Sequence, residues 1–297
     1  MWPLNPDILN FGYFCVGFVI FMRLATLRSS FDRTRIVSQI VMIFVMYAIL
    51  AAPLAVTVAF CGLATLQILR EVFAIFDARE QVLGRTRSLK IFTGMLLPFF
   101  ALAYVLDMRY ALSLAIAYLL GLTLIVLAEP DVSRAVGKVF AALLLLFVAA
   151  SLGLLGFLRG TEQGDRYVLY VFFLTNTCDA FAFLGGKILG RNRFLKHISP
   201  NKTVEGYLAA AIAGALFSWI YSSILHLPLP LWAMLLLGII WGVFTQVGDL
   251  FASLFKRFLG IKDYGTLIPG HGGVLDRLDS LLITLPLSLL VHILFFQ

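Results

Sequence analysis

Residues 230–296 read PLWAMLLLGIIWGVFTQVGDLFASLFKRFLGIKDYGTLIPGHGGVLDRLDSLLITLPLSLLVHILFF. Two apolar runs, at about 230–255 and 280–296, enclose a segment of opposite character. From Ser253 to Asp279 it carries eight Lys, Arg, His, Asp or Glu side chains and six Gly or Pro residues. Each apolar run is near the length a helix needs to cross the hydrocarbon core, roughly 20 residues at about 1.5 Å each. The segment between them is too short to fold as a domain and too hydrophilic to lie in lipid. It therefore belongs at the membrane interface, as an active-site loop.

The rest of the chain repeats this pattern. Of 297 residues 61% are hydrophobic and only 13% charged, with 27 Phe and a mean hydropathy of +0.97. Soluble domains are roughly 45–50% apolar and about 25% charged. The sequence thus predicts an all-α integral membrane protein, a polytopic bundle of about ten (nine to ten) transmembrane helices with a cytoplasmic-side active-site loop. The apolar stretches lie near 8–22, 36–52, 54–69, 91–106, 110–128, 139–158, 167–186, 206–226, 230–255 and 280–296. Pro53 marks either a hairpin between two short helices or a kink in one. Cys15, Cys61 and Cys178 sit inside apolar runs without metal-ligand spacing and read as packing residues.

The net charge of +7 does not point to nucleic acid. Of the 23 Lys and Arg, all but Arg109, Arg159 and Arg166 fall in alternate connections. That is the positive-inside pattern, and it puts the basic connections, including Ser253–Asp279, in the cytoplasm with both termini outside. Residues 70–90 form the longest basic connection of the first half, either a topology determinant or a helix continuing along the surface. No Lys or Arg precedes the first apolar run and no small-residue cleavage site follows it, so no removable leader is expected. Residues 1–165 read as scaffold, with lipid contact or oligomerisation as further roles, and residues 166–297 as the catalytic region.

A carboxylate at a helix centre in lipid costs about 2.5–3.5 kcal/mol on insertion scales and needs a partner. Asp179 and Asp249 are such residues. Asp249, Ser253 and Lys256 or Arg257 share one helix face, giving an acid, a hydroxyl and a base. Beyond Lys262 and Asp263, the turn IPGHGG (268–273) frees backbone amides that can close around phosphate oxygens. Asp276 and Asp279 then lie on one face of a helix start, with Arg277 beside them. A buried ion pair, or acids that merely favour a helix N-terminus, is the plain alternative. Two carboxylates from separate helices amid Lys and Arg suit a divalent cation and a polyphosphate, hence phosphoryl or nucleotidyl transfer. SPNKTVEG (199–206) adds Lys202 as a phosphate contact and Glu205 in a first helical turn.

The stretch SLFKRFLGIKDYGTLIPGHGGVLDRLD resembles the signature of the phosphatidate cytidylyltransferases, the CDP-diacylglycerol synthases, and SPNKTVEG resembles their second shared segment. Weaker similarity runs from about Leu174 to the C-terminus. Tyr264 stands where many members have serine. The resemblance implies the reaction CTP + phosphatidate → CDP-diacylglycerol + pyrophosphate, part of phospholipid biosynthesis, at the cytoplasmic face of the cell membrane with Mg²⁺; a second, monovalent cation such as K⁺ is left open. It implies metal ligation by Asp249 and Asp276, with Asp279 and Asp263 as ligands or supporting acids. Lys202, Ser253, Lys256, Arg257, Gly272 and Gly273 would hold nucleotide or lipid phosphates, joined by Lys262 and Arg277. His271 would donate to pyrophosphate or serve as a structural hydrogen-bonder. The partners implied are CTP, phosphatidate and the bilayer, and a homodimer is compatible with the sequence. Two other readings stay open: a CTP-dependent kinase or cytidylyltransferase for another lipid, and a cation-binding transporter. The latter predicts charges spread through both leaflets, whereas here they cluster on one side.

Overall fold

A computed structural model describes residues 6–12, 14, 33–78, 86–193, 197–199, 202–267 and 272–296. Apart from isolated bridge positions at Arg193, Thr203 and Gly272, regular structure among them is helical. The helices are α1 (Arg33–Ala51), α2 (Leu54–Ala78), α3 (Arg87–Leu96), α4 (Phe100–Leu106), α5 (Met108–Leu127), α6 (Val132–Arg159), α7 (Gly164–Ile188), α8 (Val204–Ile224), α9 (Leu231–Phe258) and α10 (Leu275–Phe295), with residues 6–12 also helical.

Seven of these, α2 and α5 through α10, are long and apolar enough to cross a membrane. The chain is therefore an all-α polytopic membrane protein, with fewer full-length spans among the described residues than the ten apolar stretches suggest. Two causes are local. The stretch 91–106 is interrupted by a 3-10 turn at Leu97–Phe99, where Pro98 lacks the amide that would continue the helix. The stretch 36–52 ends at a tight hairpin, in which Ala52 N donates to Ile49 O at 3.3 Å and Val56 N to Pro53 O at 2.9 Å. Most of the stretch 8–22 lies outside the described residues. In the other direction, α2 continues to Ala78, so residues 70–78 are the last turns of a bundle helix and only the remainder forms a connection.

Helix ends sort into two groups. At one end Arg159 donates to Leu50 O (3.0 Å) and Ala52 O (2.8 Å), and Arg166 pairs with Asp7 at 2.9 Å. The end of α2, the starts of α8 and α10 and the end of α9 gather at the other. That second end carries the polar cluster.

The centre of the bundle is α7. From Tyr167 to Leu174 eight consecutive residues are buried, so this helix is covered on every side. Glycines bring α8 and α9 against each other. A Cβ on Gly214 would lie 2.1 Å from Gly238 O, and one on Gly242 would lie 2.4 Å from Ala210 O. Small residues substitute for the hydrophobic effect here, since lipid is as apolar as the interface and only close packing distinguishes helix from lipid contacts. Hydrogen bonds add register: Trp241 Nε1 donates to Thr175 Oγ1 at 3.0 Å, and Thr175 and Thr284 hydroxyls meet at 3.1 Å. These two contacts fix α7, α9 and α10 relative to one another just below the cluster. Outward-facing leucines such as Leu112, Leu120, Leu124 and Leu127 of α5 face the lipid side.

Candidate active site

The site begins where α9 ends. Gly260 takes φ +64°, Ile261 N returns to Lys256 O at 2.9 Å, and the helix stops. Only a residue without Cβ enters that left-handed conformation cheaply. The chain then runs through Lys262 to Leu267, and residues 268–271 lie outside the described residues, His271 among them.

Asp276, in the first turn of α10, closes this loop. Its Oδ2 accepts from Tyr264 N and Gly273 N, each at 2.8 Å, and Oδ1 faces Lys256 Nζ at 2.6 Å as an ion pair. One buried carboxylate therefore ties the two ends of the loop together and fixes the cation of α9. Gly272 is required beside it. Its φ is +85° and a Cβ would come within 2.6 Å of Asp276 Oδ2. Lys256 also stands 5.2 Å above the ring of Tyr264, whose phenol burial pushes well above its ordinary range, so the ring offers a neutral, polarisable face.

Asp249 engages a different point. It accepts from Ser280 Oγ at 2.7 Å through Oδ1 and pairs with Lys202 through Oδ2. Lys202 also donates to Gln246 Oε1 at 2.5 Å, and Gln246 Nε2 donates to Asp179 Oδ1 at 3.1 Å. Thr203 caps α8 by accepting from Gly206 N at 3.2 Å, which sets Lys202 on the threshold of that helix. Asp279 lies one residue before Ser280, with Oδ2 at 3.9 Å from Lys256 Nζ. Asp179, Asp249 and Asp279 are within electrostatic range of one another. Three acids from α7, α9 and α10 are thus balanced by two lysines.

Arg277 supplies something else. Its Nε is buried without a hydrogen-bond partner among the described residues, and its charge lies within electrostatic range of Asp279. A buried donor left in this state costs about 1–3 kcal/mol, which an anion would recover.

The structure brings together Lys202, Asp249, Lys256, Gly272, Gly273, Asp276, Arg277 and Asp279. Ser253 is half-buried on α9 between Asp249 and Lys256. Other residues singled out from the sequence stand apart. Arg257 donates from Nε to Ile198 O at 3.5 Å, and Lys262 and Asp263 are exposed on the loop. Glu205 is turned to the preceding connection, accepting from Asn192 N at 3.1 Å and Asn192 Nδ2 at 2.8 Å. Three participants went unread in the sequence: Gln246, Ser280 and Glu71. The first two are ordinary helix residues whose role depends on a partner helix, while the capping turn that includes Thr203 is legible in SPNKTVEG. Glu71 had a faint signal, a lone acid after an apolar run.

Among the described residues no three His, Cys, Asp or Glu side chains converge as metal ligands. Asp276 is held by two backbone amides and Lys256, whereas Asp249 is held by the side chains of Ser280 and Lys202. The oxygens of Asp249 and Asp279 nevertheless suit a hard cation. They form an incomplete set of the kind Mg²⁺ accepts, because Mg²⁺ retains water and takes substrate phosphates as further ligands.

Acids from three membrane helices, countered by lysines beside a glycine-lined loop, define a polytopic membrane protein built to handle a charged group at one end of its bundle. The chain belongs to the cytidylyltransferase family, which it matches over residues 33–295. It is also similar to proteins named phosphatidate cytidylyltransferase from Staphylococcus epidermidis and Staphylococcus haemolyticus, each 38% identical over 148 residues, and from Staphylococcus aureus, 37% identical over the same length. Each alignment spans 50% of this chain and 57% of the relative. The chain therefore spans little more than half the length of the curated relatives it matches.

Proposed function

We propose that this protein is a phosphatidate cytidylyltransferase that makes CDP-diacylglycerol and pyrophosphate from CTP and phosphatidate at the cytoplasmic face of the membrane. The observation that carries the reading is that Lys202 and Lys256, from two chain segments, pair with Asp249 and Asp276 beside Asp279 at one end of the bundle, with Arg277 within electrostatic range of Asp279. The similarity to the staphylococcal enzymes supports the same reaction. So does the bundle itself, since acyl chains can stay in lipid while the headgroup reaches the cluster.

Two polyanions must meet for this reaction, so charge neutralisation and alignment are the main demands on the protein. Lys202 and Lys256 are now paired with Asp249 and Asp276. Phosphate oxygens offer them charged acceptors in the same positions, and the Arg277 Nε donor, without a partner among the described residues, would take another. Lys262 and Arg257, at the exposed rim, would meet the triphosphate first and steer it inward. The phosphomonoester oxygen of the lipid then attacks the α-phosphorus of CTP and the bond to pyrophosphate breaks. Asp276 keeps Lys256 oriented throughout. His271 would stand over the leaving group or brace the turn. Asp249 and Asp279 would hold Mg²⁺, which when bound supplies Lewis-acid polarisation and neutralises phosphate charge.

The purified chain, given phosphatidate, Mg²⁺ and CTP labelled at either the α- or the γ-phosphate, should pass only the α-label to lipid. Transfer of the γ-label would identify a lipid kinase instead, and no transfer of either would sink the reading. Chelation by EDTA should stop the reaction and added Mg²⁺ restore it.

A further inference from the structure

The helix that carries Asp276 starts without a cap of its own. Val274 precedes α10 in a helical conformation and has no side chain able to accept from the first amides. Those amides cannot find partners within the helix, and in a buried position they need acceptors from elsewhere. They find them in the N-terminal half of the chain. Val274 N donates to Glu71 Oε1 at 3.0 Å and Leu275 N to Glu71 Oε2 at 3.3 Å, across more than 200 residues of sequence. Glu71 is 7% exposed, and Gln67 Nε2 holds Oε1 from the preceding turn of α2 at 3.3 Å.

The loop is shaped around this carboxylate. A Cβ on Gly273 would lie 2.4 Å from Glu71 Oε2, and one on Gly265 would lie 3.0 Å from Glu71 Cδ. In each case the three nearest atoms all belong to Glu71. Neither glycine has a left-handed backbone, so close approach of Glu71, and not torsional freedom, explains the absence of a side chain. Asp276 and Glu71 together hold four consecutive or facing amides, those of Tyr264, Gly273, Val274 and Leu275. Asp276 acts from inside α10 and Glu71 from α2. An anion at a helix start also gains from the aligned peptide dipoles.

We infer that Glu71 is a positioning residue for the cytidylyl-transfer site: from α2 it clamps the start of α10 and so fixes Asp276, and through it Lys256. The kinetic part of this inference rests on the proposed function; the structural part does not. Tests use the full chain in detergent, with Glu71→Ala, Glu71→Gln, Gly273→Ala and the Glu71→Ala/Gly273→Ala pair. Amide hydrogen exchange at residues 272–276 should rise about tenfold or more in Glu71→Ala, as expected for losing two hydrogen bonds to a carboxylate, while the α7 core keeps its protection. CTP-dependent transfer should fall about tenfold or more, with Glu71→Gln, which keeps one acceptor, in between. Gly273→Ala alone should be severe, yet should add less than about twofold in the Glu71→Ala background, because the atoms it clashes with are gone. General unfolding would instead raise exchange throughout and make the losses multiply. Unchanged exchange at 272–276 in Glu71→Ala, or independent effects of the two substitutions, overturns the inference. If the wild-type protein transfers no cytidylyl group, the exchange measurements still decide the role of Glu71, so the two ideas fail separately.

Discussion

Asp276 and Asp249 are both acids at the same end of neighbouring helices, and their surroundings differ in kind. Asp276 has a side chain only 1% exposed, two backbone amides on one oxygen and a lysine on the other. Asp249 is 28% exposed, and its partners are side chains that can swing away, Lys202 and Ser280. The region around Asp276, with Glu71 and Gly273, is a frame whose bonds are to backbone. The region around Asp249, with Asp179, Asp279 and Arg277, whose Nε has no hydrogen-bond partner among the described residues, is an opening whose bonds are exchangeable. Substitution in the frame should cost folding and activity together. In the opening it should cost chemistry alone.

The sharpest test of this contrast is Asp249→Asn. It keeps the shape and one acceptor for Lys202, so detergent unfolding should stay near wild type while turnover drops by about a thousandfold or more. A protein that unfolds instead would put Asp249 in the frame. Asp276→Asn should lose activity and also stability, because it leaves Lys256 uncompensated in a buried place; breaking such a pair costs about 3–5 kcal/mol. Equal unfolding midpoints for the two variants would erase the distinction. Lys202→Met and Lys256→Ala should each raise the CTP concentration needed for half-maximal rate, by about tenfold for one lost phosphate contact. An unchanged CTP dependence would remove that lysine from the nucleotide. Glu205→Gln lies outside both regions and loses only part of an exposed link to Asn192, so transfer should change by less than about threefold. A larger effect would extend the site to the connection before α8.

Much of the site, frame and opening alike, could be read from order along the chain. Asp249, Lys256, Asp276, Arg277 and Asp279 stand out because charge within or beside an apolar run is costly and rarely incidental. Lys202 stands out because it precedes a helix start. Their pairing could not be read this way. The packing of α9 on α10, set by Gly248 against Ile283 and Ser280, turns Asp249 toward Ser280, a contact that spacing along the chain does not specify. Gln246 and Glu71 were hidden for a related reason. A single uncharged or lone acidic side chain within a helix can serve packing, water or a cluster, and only the neighbouring helix decides among them.

The helical membrane class, the chemical character of the loop and the identity of most charged participants follow from the sequence alone, because lipid excludes unpaired charge and unpaired backbone from any run it covers. Which carboxylate frames the loop and which faces the opening was decided by the tertiary structure. Those roles depend on distances of a few ångströms between helices far apart in the chain, and on an acid 200 residues upstream that supplies the acceptors Val274 and Leu275 lack.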